Sequence, residues 1–201
     1  MNIDALFVIV ISTIFINNFI LARFLGLCPF LGVSRSLSSA FGMGMAVIFV
    51  MAMTSFVTWP IFYYVLVPNN INNNIDLRYM STIVFILVIA GLVQFVEMVL
   101  NKTAPALYQA LGIYLPLITT NCAILGVAVI NVEKKITLIE ALVQGTSGGI
   151  GFTLALLLMA SIRERIELGD IPRIFRGIPI AIICAGLMSI SFLGFAGFSL
   201  K

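Results

Sequence analysis

Charge is what this sequence has least of: 9% of its 201 residues are Asp, Glu, Lys or Arg, while 61% are hydrophobic. A typical globular domain is roughly 25% charged, so water is not the solvent of this chain and a soluble domain is excluded. Histidine is absent and cysteine occurs only three times, which removes imidazole as a metal ligand and limits what thiolates can build. Met1 to Asp4 holds no basic residue and no small-residue cleavage site follows the first apolar run. No removable signal peptide is therefore expected, and the first helix stays.

Uninterrupted apolar sequence is what the chain has in abundance. A helix needs about 20 mostly apolar residues to cross a hydrocarbon core about 30 Å thick. Charge-free runs of that order occur at Ser36 to Val67, Thr103 to Val132 and Gly177 to Leu200. Three more qualify with minor blemishes: Ala5 to Ala22, Tyr79 to Leu100 with Glu97 near its end, and Leu138 to Ile162 with Glu140 near its start. The expectation is an all-α integral membrane protein of six transmembrane helices, a single membrane domain over residues 1–201. Connections one, three and five hold Arg23, Arg35, Lys102, Arg163, Arg165, Arg173 and Arg176, against Arg78, Lys134, Lys135 and Lys201 on the other face. That excess of Lys and Arg predicts odd-numbered connections in the cytoplasm and both termini outside a cell inner membrane.

The chain also matches itself. Cys28-Pro29-Phe30-Leu31-Gly32-Val33-Ser34 and Cys122-Ala123-Ile124-Leu125-Gly126-Val127-Ala128 both read C-x-x-L-G-V followed by a small residue. Gly42-Met43-Gly44 is answered by Gly149-Ile150-Gly151, and Ala90-Gly91-Leu92 by Ala185-Gly186-Leu187, in the same order. Duplication explains this order better than chance does, with one repeat at about 1–102 and the other at about 103–201. Three spans per repeat is an odd number, so the halves are inverted about an axis in the membrane plane. The two cysteine segments then approach from opposite faces, and equivalent residues can meet near the midplane.

Both segments make poor continuous spans, because Gly26 and Pro29 interrupt one and Pro116 the other. Broken or half-length helices are predicted there, with the cysteines at the breaks, since freed backbone at membrane depth is tolerated only where protein or a bound group satisfies it. Three readings of Cys28 and Cys122 stand. Free cysteine packs as a small apolar residue, and Cys184, whose counterpart is Ile89, is read that way. A disulfide is the second reading, although a bridge between two broken helices has no evident purpose. Metal ligation is the third. A [2Fe–2S] cluster takes four thiolates, or two with two histidines, so this chain can supply at most half a site. The other half would come from a partner, most simply a paralogue of the same inverted design.

The strings from Leu25 to Ser34 and from Leu111 to Cys122 closely resemble the family formed by the A subunits of Rnf electron-transport complexes. The resemblance covers essentially the whole chain, through Glu97-Met98, Ile162-Arg163-Glu164-Arg165, Phe175-Arg176-Gly177 and Ala185-Gly186-Leu187-Met188-Ser189. The sister family, the E subunits of the sodium-pumping NADH:quinone reductases, is similar throughout. Pro29-Phe30 after Cys28 and Thr119-Thr120 before Asn121-Cys122 favour Rnf. The resemblance implies a translocase that passes electrons between reduced ferredoxin and NAD and couples this to moving sodium ions or protons. It implies partners in the paralogous E subunit, in the D and G subunits and in soluble redox subunits, and one intramembrane [2Fe–2S] cluster. Its ligands, carried over, are Cys28 and Cys122 with two cysteines of the E subunit. This chain would then relay electrons and make no substrate bond. A secondary transporter shares the inverted design but needs no cysteine at the breaks; a scaffold around other subunits' cofactors is a further alternative.

Gly26, Gly32 and Gly126 are expected either to allow close backbone approach at the cysteines or to make small-residue helix contacts. Asn17, Asn18 and Asn121 should cap broken helices or bridge neighbours, with ion binding as the alternative. Glu97 and Glu140 either mark an ion path or reach the headgroups from helix ends. The stretch Asn69 to Arg78 reads as an outer loop without chemistry. Arg163 to Arg176 reads as a cytoplasmic loop that docks a soluble redox protein or merely sets topology. The bilayer is a partner in every reading, and nucleic acid in none.

Overall fold

A computed structural model describes residues 3–66, 80–103, 115–170, 172 and 174–197. The outer loop expected at 69–78, residues 111–114 of the second string and Arg173 lie outside the described residues. Within them all regular structure is helical, with no strand. Helix α1 (Ile3–Ile11) continues as a π-helical turn (Ser12–Ile16), and after an irregular stretch comes the short α2 (Leu27–Val33). Helix α3 (Leu37–Ile61) likewise ends in a π-helical turn (Phe62–Leu66), followed by α4 (Ser81–Thr103). The second half comprises α5 (Leu115–Thr119), α6 (Cys122–Glu133), α7 (Leu138–Glu167) and α8 (Ile178–Leu193), which closes in a 3-10 turn (Gly194–Gly197).

Three stretches are long and apolar enough to cross a membrane: Leu37–Tyr64, Ser81–Val99 and Leu138–Glu167. Leu6–Ile16, Leu117–Glu133 and Ile178–Leu193 are apolar but shorter. The first of these is interrupted rather than continuous to Ala22, and α2 with its seven residues spans only about 10 Å at 1.5 Å per residue.

Helices α3 and α7 form the centre. A Cβ at Gly149 would stand 2.6 Å from the Cα of Ile48, and one at Gly145 or Gly44 would collide with Ser55 or Thr153. The backbones thus approach as closely as only glycine permits, which is how helices associate where lipid supplies no hydrophobic drive. The contacts pair Gly44 with Thr153, Ile48 with Gly149 and Ser55 with Gly145, so the helices run antiparallel. Of the glycines in the weaker sequence matches, Gly44 and Gly149 lie in this interface, against Thr153 and Ile48, and Gly151 lies against Ile14 and Asn18, while Gly42, Gly91 and Gly186 have open space around them. The polarity of α3 is that of a lipid-facing helix: Thr54, Ser55 and Thr58 are buried, and Phe41, Met45, Phe49 and Phe56 point outward.

The structure departs from the sequence expectation over 163–167, which are helical, and bears on the place of Arg23. The basic-residue count assigns Arg23 to the first cytoplasmic connection, yet its charge reaches Lys134, which is pulled below the usual lysine range first by burial and then by Arg23. Arg23 thus lies near enough to Lys134 to act on it, although the sequence count placed the two on opposite faces. The same reading assigns Arg163 to a loop, but α7 extends to Glu167 and buries it. The substitution Gly149→Ala should lower the thermal stability of the chain in detergent by the ~1–3 kcal/mol typical of overpacking. Gly186→Ala should leave the unfolding temperature unchanged or raise it; equal effects at the two positions would contradict the close α3–α7 approach.

Candidate functional site

The first break begins where the π-helical turn after α1 ends at Asn17. Asn18 is fully buried and uses both ends of its amide. Its Nδ2 donates to the carbonyls of Ile14 at 3.0 Å and Gly151 at 2.8 Å, and its Oδ1 accepts from the amides of Ile20 at 3.0 Å and Leu21 at 3.3 Å. The hydroxyl of Ser189 on α8 donates to the Leu21 carbonyl. Backbone groups freed from the helix ladder are thus answered by side chains, as the membrane interior requires. Asn17 is exposed and bonds only locally, its Nδ2 donating to Ser12 Oγ at 3.0 Å.

The turn closes through two residues with positive φ, Phe24 at 55° and Gly26 at 83°. Glycine is needed at 26 for space as well as for conformation. A Cβ there would lie 2.7 Å from Phe152 Cε2, 3.0 Å from Asn121 Oδ1 and 3.2 Å from the Ala123 Cβ. Asn121 and Ala123 flank Cys122, so the first break rests directly on the second. Gly126 reciprocates, since a Cβ on it would stand 2.8 Å from Leu25 Cδ1. Gly32, matched to Gly126 in sequence, has nothing within 4 Å of an added Cβ and makes no close approach.

Where the breaks cross, the Gly26 N–H donates to Cys122 Sγ at 3.0 Å. Cys28 lies two residues beyond Gly26, and two Cα steps of 3.8 Å keep its Cα within about 9 Å of that amide. Cys28 falls in the first turn of α2 and Cys122 opens α6. From the crossing the two helices leave in opposite directions. The end of α2 meets Arg163 near the C-terminus of α7, whereas α6 runs to the turn that begins α7. All three thiols are free, so no disulfide forms; Cys28 and Cys122 are exposed, and Cys184 packs against the core. Two polarizable sulfurs therefore face out of the chain at its helix breaks.

Asn121 has 4% exposure and N-caps α6, its Oδ1 accepting from the Ala123 amide at 3.0 Å. Its Nδ2 is buried without a hydrogen-bond partner among the described residues, an expensive state in the residue next to Cys122. Among the described residues no cluster of three or more His, Cys, Asp or Glu is placed to hold a metal, so the thiol pair is all this region offers. Glu97 lies elsewhere, on α4, in an apolar groove of about 490 Å³ that it shares with Phe41, Met45, Phe49, Val93 and Ile118. Glu140 belongs to the start of α7, where its Oε2 accepts the Thr137 amide at 2.9 Å. Sequence reasoning missed the buried role of Arg163, although Phe152, Leu156, Met159 and Arg163 recur at helical spacing and mark it as inward-facing.

The Rnf-Nqr family model, whose description reads "Rnf-Nqr subunit, membrane protein", matches residues 6–199. The chain is 55% identical over 192 residues to the A subunit of the Na(+)-translocating ferredoxin:NAD(+) oxidoreductase complex of Acetobacterium woodii, covering 96% of this chain and 97% of that one. It is also 55% identical to the A subunit of the ion-translocating oxidoreductase complex of Syntrophotalea carbinolica, with 96% of each chain covered. The protein of the same name in Serratia proteamaculans is 54% identical over 187 residues, 93% of this chain and 94% of its own.

Asn18→Leu keeps the volume but leaves buried backbone groups unpaired, at about 1–3 kcal/mol for each group left unsatisfied. Thermal unfolding in detergent should show a clear loss of stability, whereas Asn17→Leu should be close to neutral.

Proposed function

The chain belongs to the Rnf-Nqr family of membrane subunits, and from that premise we propose that it is the A subunit of an ion-translocating oxidoreductase complex and works there as an intramembrane electron relay. In this reading Cys28 and Cys122 supply half the ligands of a [2Fe–2S] cluster, and a paralogous E subunit of opposite orientation supplies the rest. The chain is one component of an enzyme complex and carries no substrate chemistry of its own. The observation that carries the proposal is the crossing of the two breaks, with the Gly26 amide on Cys122 Sγ and Cys28 two residues away.

The residues present suit such a group. Thiolates are its ordinary ligands, and hydrogen bonds to sulfur together with burial set its potential. Gly26 already directs an N–H at Cys122 Sγ, and the unpartnered Asn121 Nδ2 is a second donor beside it. Both sulfurs are exposed on the chain, as sulfurs must be if a neighbour completes the site. When bound, the cluster would accept and return one electron. The chain's own residues hold the two thiolates on helices that leave the crossing in opposite directions, keep water from the backbone of the breaks, and tune the sulfurs through those N–H groups.

The arrangement also supports the inverted reading, with repeat one at about 1–102 and repeat two at about 103–201 making six spans, three of them short or interrupted. The end that carries Arg35, Arg163, Arg165 and Arg176 would face the cytoplasm. The D and G subunits and soluble redox subunits are the remaining partners, and the coupling ion is a sodium ion or a proton.

The test is iron and acid-labile sulfide analysis of the chain co-purified with its paralogue. Cys28→Ser and Cys122→Ser should each abolish or strongly reduce both, and Cys184→Ser should leave them intact. Ion transport surviving the loss of Cys28 and Cys122 would instead favour a transporter without a cluster.

A further inference from the structure

A mostly buried charge is costly even at the end of a membrane bundle, where Arg163 borders a polar pocket of about 410 Å³ lined also by Glu167 and Arg176. Among the described residues Arg163 is the only charged side chain in the buried set, with 8% exposure. Its Nη1 donates to the Leu31 carbonyl at 2.8 Å and to Ser34 Oγ at 3.0 Å, and Ser34 is itself fully buried. Both oxygens lie at the C-terminal end of α2, the helix whose first turn holds Cys28.

A helix of seven residues is far below the roughly 12–15 residues that an isolated helix needs. Its last carbonyls lack intrahelical partners, and a cation is favoured at that end of the dipole. Cys28 therefore depends on what holds the two ends of α2: the Gly26 wedge at one and the Arg163 guanidinium at the other. Leu31 and Ser34 lie three and six residues from Cys28, about 4.5 and 9 Å along the axis, and the guanidinium lies beyond the Leu31 carbonyl, on the order of 10 Å from Cys28. At that range, in a medium of low dielectric, a fixed charge acts on any redox centre the sulfur holds. The second half differs. Its cysteine helix, α6, ends at Lys134 with the backbone amide of that residue returning to Ile130 and Val132, so the clamp falls on the Cys28 side.

We propose that Arg163 is the positioning residue of the Cys28 ligand: it locks α2 against α7 and places a fixed positive charge on the Cys28 side of the site, raising the reduction potential there. The charge role rests on the cluster reading; the locking role does not.

Two variants separate the roles, Arg163→Met, which removes donor and charge, and Arg163→Lys, which keeps both in simpler form. In the full-length chain in detergent, with iron chelated, the alkylation rate of Cys28 relative to Cys122 should rise several-fold in Arg163→Met and stay near wild type in Arg163→Lys. An unchanged ratio in Arg163→Met overturns the locking role. In the complex, redox titration of the cluster signal should show a more negative midpoint in Arg163→Met, or loss of iron, with Arg163→Lys near wild type. Iron and midpoint both unchanged in Arg163→Met overturn the charge role. Wild-type complex without iron overturns the cluster reading and the charge role with it, while the alkylation ratio still decides the lock.

Discussion

Backbone that leaves a helix at membrane depth can find hydrogen bonds only within the protein, and the interruptions before Cys28 and Cys122 are organised by that requirement. Asn18 answers two freed amides and two carbonyls at once, Ser189 answers the Leu21 carbonyl, and Asn121 caps the helix that Cys122 begins. Asn18 and Asn121 thus stand where the chain departs from the helix, and the departures are where the sulfurs emerge.

Close packing makes the rest of the arrangement possible. Glycines draw α7 against α3 and against the first break: Gly149 meets Ile48, Gly148 meets Phe19, and Gly151 lies under Ile14 and Asn18. One long helix therefore serves as the surface on which both halves are registered. Phe152 on the same helix abuts Gly26, and Arg163 further along it grips the end of α2. The short helix that carries Cys28 buries Phe30 and Val33 and touches α7 near both ends, through Gly26 and Arg163, whereas Cys122 follows an N-cap and accepts the Gly26 amide.

This unequal support suits a site divided between two chains. Neither thiol is enclosed, and the buried amide nitrogen of Asn121, next to Cys122, has no partner among the described residues. Both sulfurs are exposed, while the backbone behind them is packed and hydrogen-bonded.

Much of this was legible in the sequence. Charge scarcity and apolar runs specified a helical membrane protein because the bilayer excludes unpaired backbone and constrains length and composition directly. The repeated C-x-x-L-G-V strings pointed to the breaks and the sulfurs, although Gly and Pro alone do not make a break: Pro60 lies inside α3 and Gly149 inside α7. Other features depended on what crosses what. Gly26 and Gly126 proved to be contact points while Gly32 did not, Arg23 turned toward Lys134, and Arg163 folded inward as a clamp. These facts follow from the antiparallel pairing of α3 with α7 and the crossing of the two breaks. Composition and spacing describe one chain segment at a time, whereas contact between distant segments arises only when they pack.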